Sequence, residues 1–270
     1  MTNSTGGGGG APIGIFDSGF GGLTVARAVI DQLPYEDIIY VGDSARAPYG
    51  EKLVSEVREY ALECLDHLVD QGVKMLVIAC NSASAAVLAD ARERYRVPVV
   101  EVIRPAARRA AAATASGRVG VICTESTARS RAYEDALSVA GHVRLSTRAC
   151  PRLVPFVEAG VTSGDELLAA VRDYLTPLQR DGIDTLILGC THYPLLTAVI
   201  SYVLGDGVTL VSSADECAKQ TWATLAELDL VQPEARPGRH RFVTTGSVVQ
   251  FTELGRRLMG EWVGDVSQLA

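Results

Sequence analysis

No apolar stretch in this 270-residue chain approaches the ~20 residues that would span a bilayer. Its first residues, Met1 to Gly10, carry neither a basic n-region nor an apolar h-region, so no secretory signal is expected and a cytoplasmic location is the default. Its six cysteines include no C-x-x-C pair, which argues against a disulfide framework and for reduced thiols. Only Cys190 and His192 lie close enough to suggest metal ligands, and two fall short of a zinc set, so no metal is expected. A basic excess is also missing: the formal net charge is -7, against binding to nucleic acid or an anionic membrane surface. Neither G-x-G-x-x-G nor a phosphate loop ending in Lys-Ser/Thr is present, which disfavours dinucleotides and nucleoside triphosphates.

What is present is an ordinary globular composition, 47% hydrophobic and 21% charged, enough for a real core. Five glycines, Gly6 to Gly10, predict a flexible tail over residues 1–11. Beyond it, apolar runs predict strands at Ile13–Phe16, Ile38–Val41, Met75–Ala79, Val97–Val100, Val119–Ile122, Val143–Thr147, Thr185–Leu188, Thr209–Val211 and Arg241–Thr244. Helical spacing fills most gaps between them, as over Val54–Leu68 and Leu167–Leu178. Alternation of this kind predicts an α/β protein of parallel βαβ units.

An internal repeat accompanies the alternation. Ile13-Gly-Ile-Phe-Asp17-Ser18 aligns with Val119-Gly-Val-Ile-Cys123-Thr124 at an offset of 106, and Cys80 with Cys190 at an offset of 110. Two tandem, pseudo-symmetric α/β halves explain both matches, although parallel strands resemble one another in general. The expected division is 12–104 plus 215–270 for a first, discontinuous domain and 105–214 for a second, with the site in the cleft between them.

The two cysteines sit at matching places. Each ends an apolar run and precedes small polar residues and a helical pattern, in Ala79-Cys80-Asn81-Ser82 and Gly189-Cys190-Thr191-His192. A lone cysteine at a strand end is more often a small buried hydrophobe. Duplication is what points to chemistry, because parallel sheets bind ligands at these carboxyl ends. Helix N–H groups there can lower a thiol pKa. Cys64, Cys123, Cys150 and Cys217 lack this setting and are expected to be structural. His192, two residues past Cys190, is either its acid–base partner or a helix cap. Asp17-Ser18-Gly19-Phe20-Gly21-Gly22 is either a tight turn capped by Asp17 or Ser18, or a carboxylate poised to exchange protons with a thiol. The loop Gly42-Asp43 to Pro48-Tyr49-Gly50 is rich in turn residues, and Tyr49 is a candidate substrate contact.

These four motifs, in this order, resemble those of the glutamate racemase family, with Thr245-Gly246 a weaker fifth. The resemblance implies two flavodoxin-like domains and a cofactor-independent enzyme making D-glutamate for peptidoglycan. It implies Cys80 and Cys190 as acid/base thiols, assisted by Asp17 and His192 respectively. Asp17, Ser18, Tyr49, Gly50, Asn81, Ser82, Thr124, Thr191 and His192 would hold the substrate, and Glu158 would lie near the second cysteine. One departure is Ser82, where the family usually has Thr. Aspartate or hydantoin racemases share the two-cysteine frame, and a non-catalytic two-lobed amino-acid-binding protein is the rival from another class. A homodimer is the default assembly.

Overall fold

A computed structural model of the chain describes residues 8–260, 262–264 and 266–269. The described residues form ten strands: β1 Ile13–Asp17, β2 Ile38–Gly42, β3 Met75–Ile78, β4 Val99–Glu101, β5 Arg118–Cys123, β6 Arg144–Ala149, β7 Thr185–Gly189, β8 Thr209–Ser212, β9 His240–Thr244 and β10 Val266–Gln268. The first nine are the expected apolar runs. The tenth is short and half-exposed, so no apolar run announces it. In β1, β2, β3 and β7 every residue is buried. Strands covered by helices on both faces require such uninterrupted apolarity, and this is the setting in which purely parallel sheets occur.

The strands form two sheets, ordered β10-β9-β2-β1-β3-β4 and β6-β5-β7-β8, with every pairing parallel. Both contain the same central order, second-first-third-fourth strand, which is the flavodoxin-like winding. β1 and β5, matched in the sequence repeat, occupy equivalent central places. Register sets Asp17 beside Gly42 and Cys123 beside Gly189, so the carboxyl ends of the central strands finish level. The chain returns from β8 to the first sheet through the helix Ser213–Glu227, and β9 then pairs with β2.

Three apolar clusters hold this arrangement. One packs the helices Val54–Asp70 and Asn81–Arg94 on the first sheet, another packs Asp165–Arg180 and Thr197–Leu204 on the second. The third joins the sheets, bringing Val25 and Val29 together with Ala106, Ala110, Val121, Ile187, Cys217 and Leu225. A shared core fixes how the two sets of strand ends face each other.

Part of the expected tail is structured. Residues 1–7 lie outside the described residues, but Ala11 N–H donates to Gly8 O (2.8 Å) and Lys74 Nζ donates to Gly9 O (2.5 Å). The buried Lys74–Glu36 ion pair (2.5 Å) accounts for this: a buried ammonium needs every available acceptor, and the glycine segment supplies one.

Candidate active site

The carboxyl ends of β1, β3, β5 and β7 open onto one cleft of about 720 Å³, its mouth included. Ser18, Tyr49, Gly50, Cys80, Asn81, Ser82, Thr124, Glu158, Cys190, Thr191 and His192 all line it. Of the expected site residues only Asp17 does not.

Cys80 is the N-cap of the helix Asn81–Arg94, its sulfur accepting from Ala83 N–H at 3.4 Å and its thiol donating to Ser18 Oγ at 3.5 Å. The expected lowering of its pKa does not occur. Burial pushes the thiol up to about 12, helped by the charge of Asp17, and outweighs the Ser18 and Ala83 contacts. Asp17 lies behind Ser18, fully buried, with Oδ2 accepting from Gly19 N–H at 3.0 Å. Burial also raises its pKa, with the Gly22 N–H, the charge of His192 and the Gly19 and Ser18 N–H groups offsetting part of the rise. Asp17 is thus buried behind the cleft wall rather than part of its lining. Neither Asp17 nor Ser18 caps the following helix, Leu23–Gln32, whose N-cap is Gly22.

The glycines of this turn have a specific use. A Cβ on Gly22 would fall 2.3 Å from Asp17 Cβ, and one on Gly21 would fall 2.4 Å from Thr191 Oγ1 and 2.5 Å from His192 Nδ1. Gly21 thus admits the second half's cysteine turn, which Thr24 fastens by donating to Thr191 O at 2.9 Å.

Around Cys190 the chain continues into the short 3₁₀ turn Tyr193–Leu196. Cys190 Sγ lies 3.7 Å from His192 Nδ1, and His192 Nε2 lies 3.1 Å from Glu158 Oε1. Burial works against a charged His192, but the hydrogen bonds and negative charge of Cys190 and Glu158 prevail and push its pKa up to about 10. Cysteine, histidine and glutamate therefore form a chain in which the imidazole is within reach of a proton at the sulfur and its other nitrogen is held by Glu158.

Side walls come from the loop after β2 and the turn after β5. Asp43, fully buried, accepts from Tyr49 Oη (2.5 Å), Arg46 Nε (2.8 Å) and Thr245 Oγ1 (2.6 Å). The Tyr49 hydroxyl is consumed by this network, leaving the ring and backbone of Tyr49 and Gly50 to face the cleft. Opposite them, Ser82 Oγ meets Thr124 Oγ1 at 2.9 Å, and Thr124 caps the helix Glu125–Ser130. Thr191 is held through its own carbonyl, as above.

Pro48, Glu51, Glu125, Pro151, Val154 and Pro155 also line the cleft and were not anticipated. Pro151, Val154 and Pro155 belong to the segment that leads to Glu158, so their proximity to it was a usable signal. Burial pushes the thiols of Cys64, Cys123, Cys150 and Cys217 up, as it does that of Cys80, but none of these four lines the cleft. Among the described residues, no three His, Cys, Asp or Glu side chains gather as a metal site requires. No described helix is long and apolar enough to cross a membrane.

Against known proteins, the profile of the Asp/Glu/Hydantoin racemase family matches residues 22–221. A glutamate racemase of Parafrankia sp. is 61% identical over 259 residues, covering 96% of this chain and 94% of its own. The crystal structure of glutamate racemase from Thermus thermophilus, in complex with β-chloro-D-alanine, matches at TM-score 0.89 and 42% identity over 98% of both chains. That from Francisella tularensis, in complex with D-glutamate, matches at TM-score 0.90 and 32% identity over 97% of this chain and 98% of its own. With its two wound sheets, shared cleft and paired cysteine turns, the chain belongs to the Asp/Glu/Hydantoin racemase family.

Proposed function

We propose that this protein interconverts L- and D-glutamate by passing the Cα proton between Cys80 and Cys190. The observation that carries the proposal is the presence, in one cleft, of a thiol from each half with its own acid–base partner: Asp17 for Cys80, His192 with Glu158 for Cys190. The identity of the relatives, and the D-glutamate bound by the Francisella enzyme, support glutamate as the substrate.

In one direction the Cys190 thiolate takes the Cα proton and becomes a thiol. The electron pair left on Cα takes a proton from the Cys80 thiol on the other face, leaving a thiolate there. The protonated His192 stabilises charge on Cys190 before the transfer, and Asp17 reprotonates Cys80 after it. In the other direction the roles exchange. No cofactor carries an electron pair in this scheme. The carbanion-like transition state is stabilised by donors fixed in a water-poor cleft, for which the N–H groups near Ser18, Asn81 and Thr191 are placed. D-glutamate made this way in the cytoplasm would feed peptidoglycan synthesis.

The test is incubation of purified, metal-free protein with L-glutamate in D₂O, without pyridoxal phosphate, following optical rotation and the Cα proton signal together. Loss of rotation with deuterium entering Cα is expected. Unchanged rotation and an undiminished Cα signal would overturn the proposal, and exchange with aspartate alone would move the substrate to the shorter acid.

A further inference from the structure

Tyr133 touches both cysteine turns at once. Its ring lies against Gly189, the residue before Cys190: a Cβ there would fall 3.0 Å from Tyr133 Cε2. Its hydroxyl donates to Asn81 Oδ1 at 2.8 Å, and Asn81 is the residue after Cys80. Tyr133 comes from the helix Ala132–Leu137, packed with the second half, whereas Asn81 opens a helix of the first. The ring is 1% exposed, so packing holds it in place.

The bond has a consequence for the Asn81 amide. An amide carries an acceptor end and a donor end on one rigid plane. Tyr133 occupies the acceptor end, and this fixes where the donor end points. Nδ2 of Asn81 is buried and has no hydrogen-bond partner among the described residues, while Asn81 itself lines the cleft. Buried donors are nearly always paired in native proteins, so an unpaired one in a cleft wall marks the place of a ligand acceptor. Burial also keeps the tyrosine hydroxyl protonated, so it has a proton to give to Asn81 Oδ1.

We propose that Tyr133 is a positioning residue that holds the Asn81 amide with its NH₂ group toward a carboxylate oxygen of the substrate. The inference rests on the amino-acid racemase reading of the cleft. Without the hydroxyl the amide turns freely, and half of its orientations present an oxygen to the anionic ligand. Tyr133→Phe keeps the ring against Gly189 and removes only this constraint. It should raise KM for glutamate, and the Kd for D-glutamate, about tenfold, the worth of one well-placed hydrogen bond. It should change kcat by less than about threefold, since the thiols are untouched.

A double-mutant cycle with Asn81→Ala tests the proposal, read as Kd for D-glutamate by titration alongside thermal unfolding. If Tyr133 acts through Asn81, Tyr133→Phe changes Kd in the wild-type background and not in the Asn81→Ala background. The same factor in both backgrounds, or no change in either, overturns the inference while leaving racemisation intact. A wild-type protein that binds D-glutamate but exchanges no Cα proton would instead overturn the racemase reading beneath it.

Discussion

Adding one methyl group at Gly21 would drive it into the histidine of the second cysteine turn. The Cβ would fall 2.4 Å from Thr191 Oγ1, 2.5 Å from His192 Nδ1 and 2.6 Å from its Cε1. Carbon contacts are comfortable near 3.5 Å, so about 1 Å must be found. Neither neighbour can yield it cheaply. Thr24 pins the Thr191 backbone at its carbonyl, Glu158 holds His192, and both neighbours are buried. Either the two halves part, or the imidazole swings off Cys190. Overpacking of this kind costs roughly 1–3 kcal/mol of stability. A misplacement of ~1 Å at a proton-transfer group lowers turnover about 10²-fold. Gly19 supplies the control in the same turn, because a Cβ there meets only Ala47 Cβ at an ordinary 3.5 Å. Gly19→Ala should keep near-normal activity and melting temperature. D-glutamate formation and thermal unfolding of the two variants check this. Normal turnover in Gly21→Ala, or equal damage in Gly19→Ala, would refute the reasoning.

Glu158→Gln keeps an oxygen acceptor but removes a negative charge that helps hold the His192 pKa near 10, so the alkaline limb of the kcat profile should move to lower pH. Because that pKa is raised above its unfolded value of 6.5, His192 stabilises the fold below about pH 6.5 and the contribution fades as pH rises through 10; pH-dependent unfolding should show the variant losing less over that range. Asp17 has the same sign for a different reason: burial raises its pKa, so ionisation costs stability as pH climbs above 3.8 and through the raised value. Asp17→Asn should therefore melt higher than the parent at pH 8 while racemising more slowly. Lys74→Met leaves Glu36 buried and unpaired far from the cleft. Urea unfolding should show a loss of about 3–5 kcal/mol, with kcat unchanged and much of the stability restored by adding Glu36→Gln.

Much of the fold was readable because the central strands are buried on both faces, which leaves continuous apolar runs in the sequence. β10 and the ordered end of the glycine tail were not readable: one is three half-exposed residues, and the other depends on Lys74, far away in sequence. The cysteine turns stood out through duplication. Their electrostatics did not, since helix-start N–H groups favour a low thiol pKa, and burial together with the charge of Asp17 decides against it at Cys80. Gly21 and Gly22 read in the sequence as turn residues, but what presses on them is Asp17 and the partner cysteine turn, which only the packing of the two halves reveals. Tyr133 carried no signal at all: a tyrosine on a short helix, with its role made by residues 52 positions before it and 56 after.

The central claim is that each thiol serves one face of Cα, and the most direct measurement follows Cys80→Ser and Cys190→Ser separately, with each enantiomer of glutamate in D₂O. A serine hydroxyl cannot replace a thiol as acid or base near neutral pH, so both variants should lose racemisation in both directions by about 10³-fold or more while still binding D-glutamate. Racemisation by either variant within about tenfold of the parent would contradict the two-thiol account.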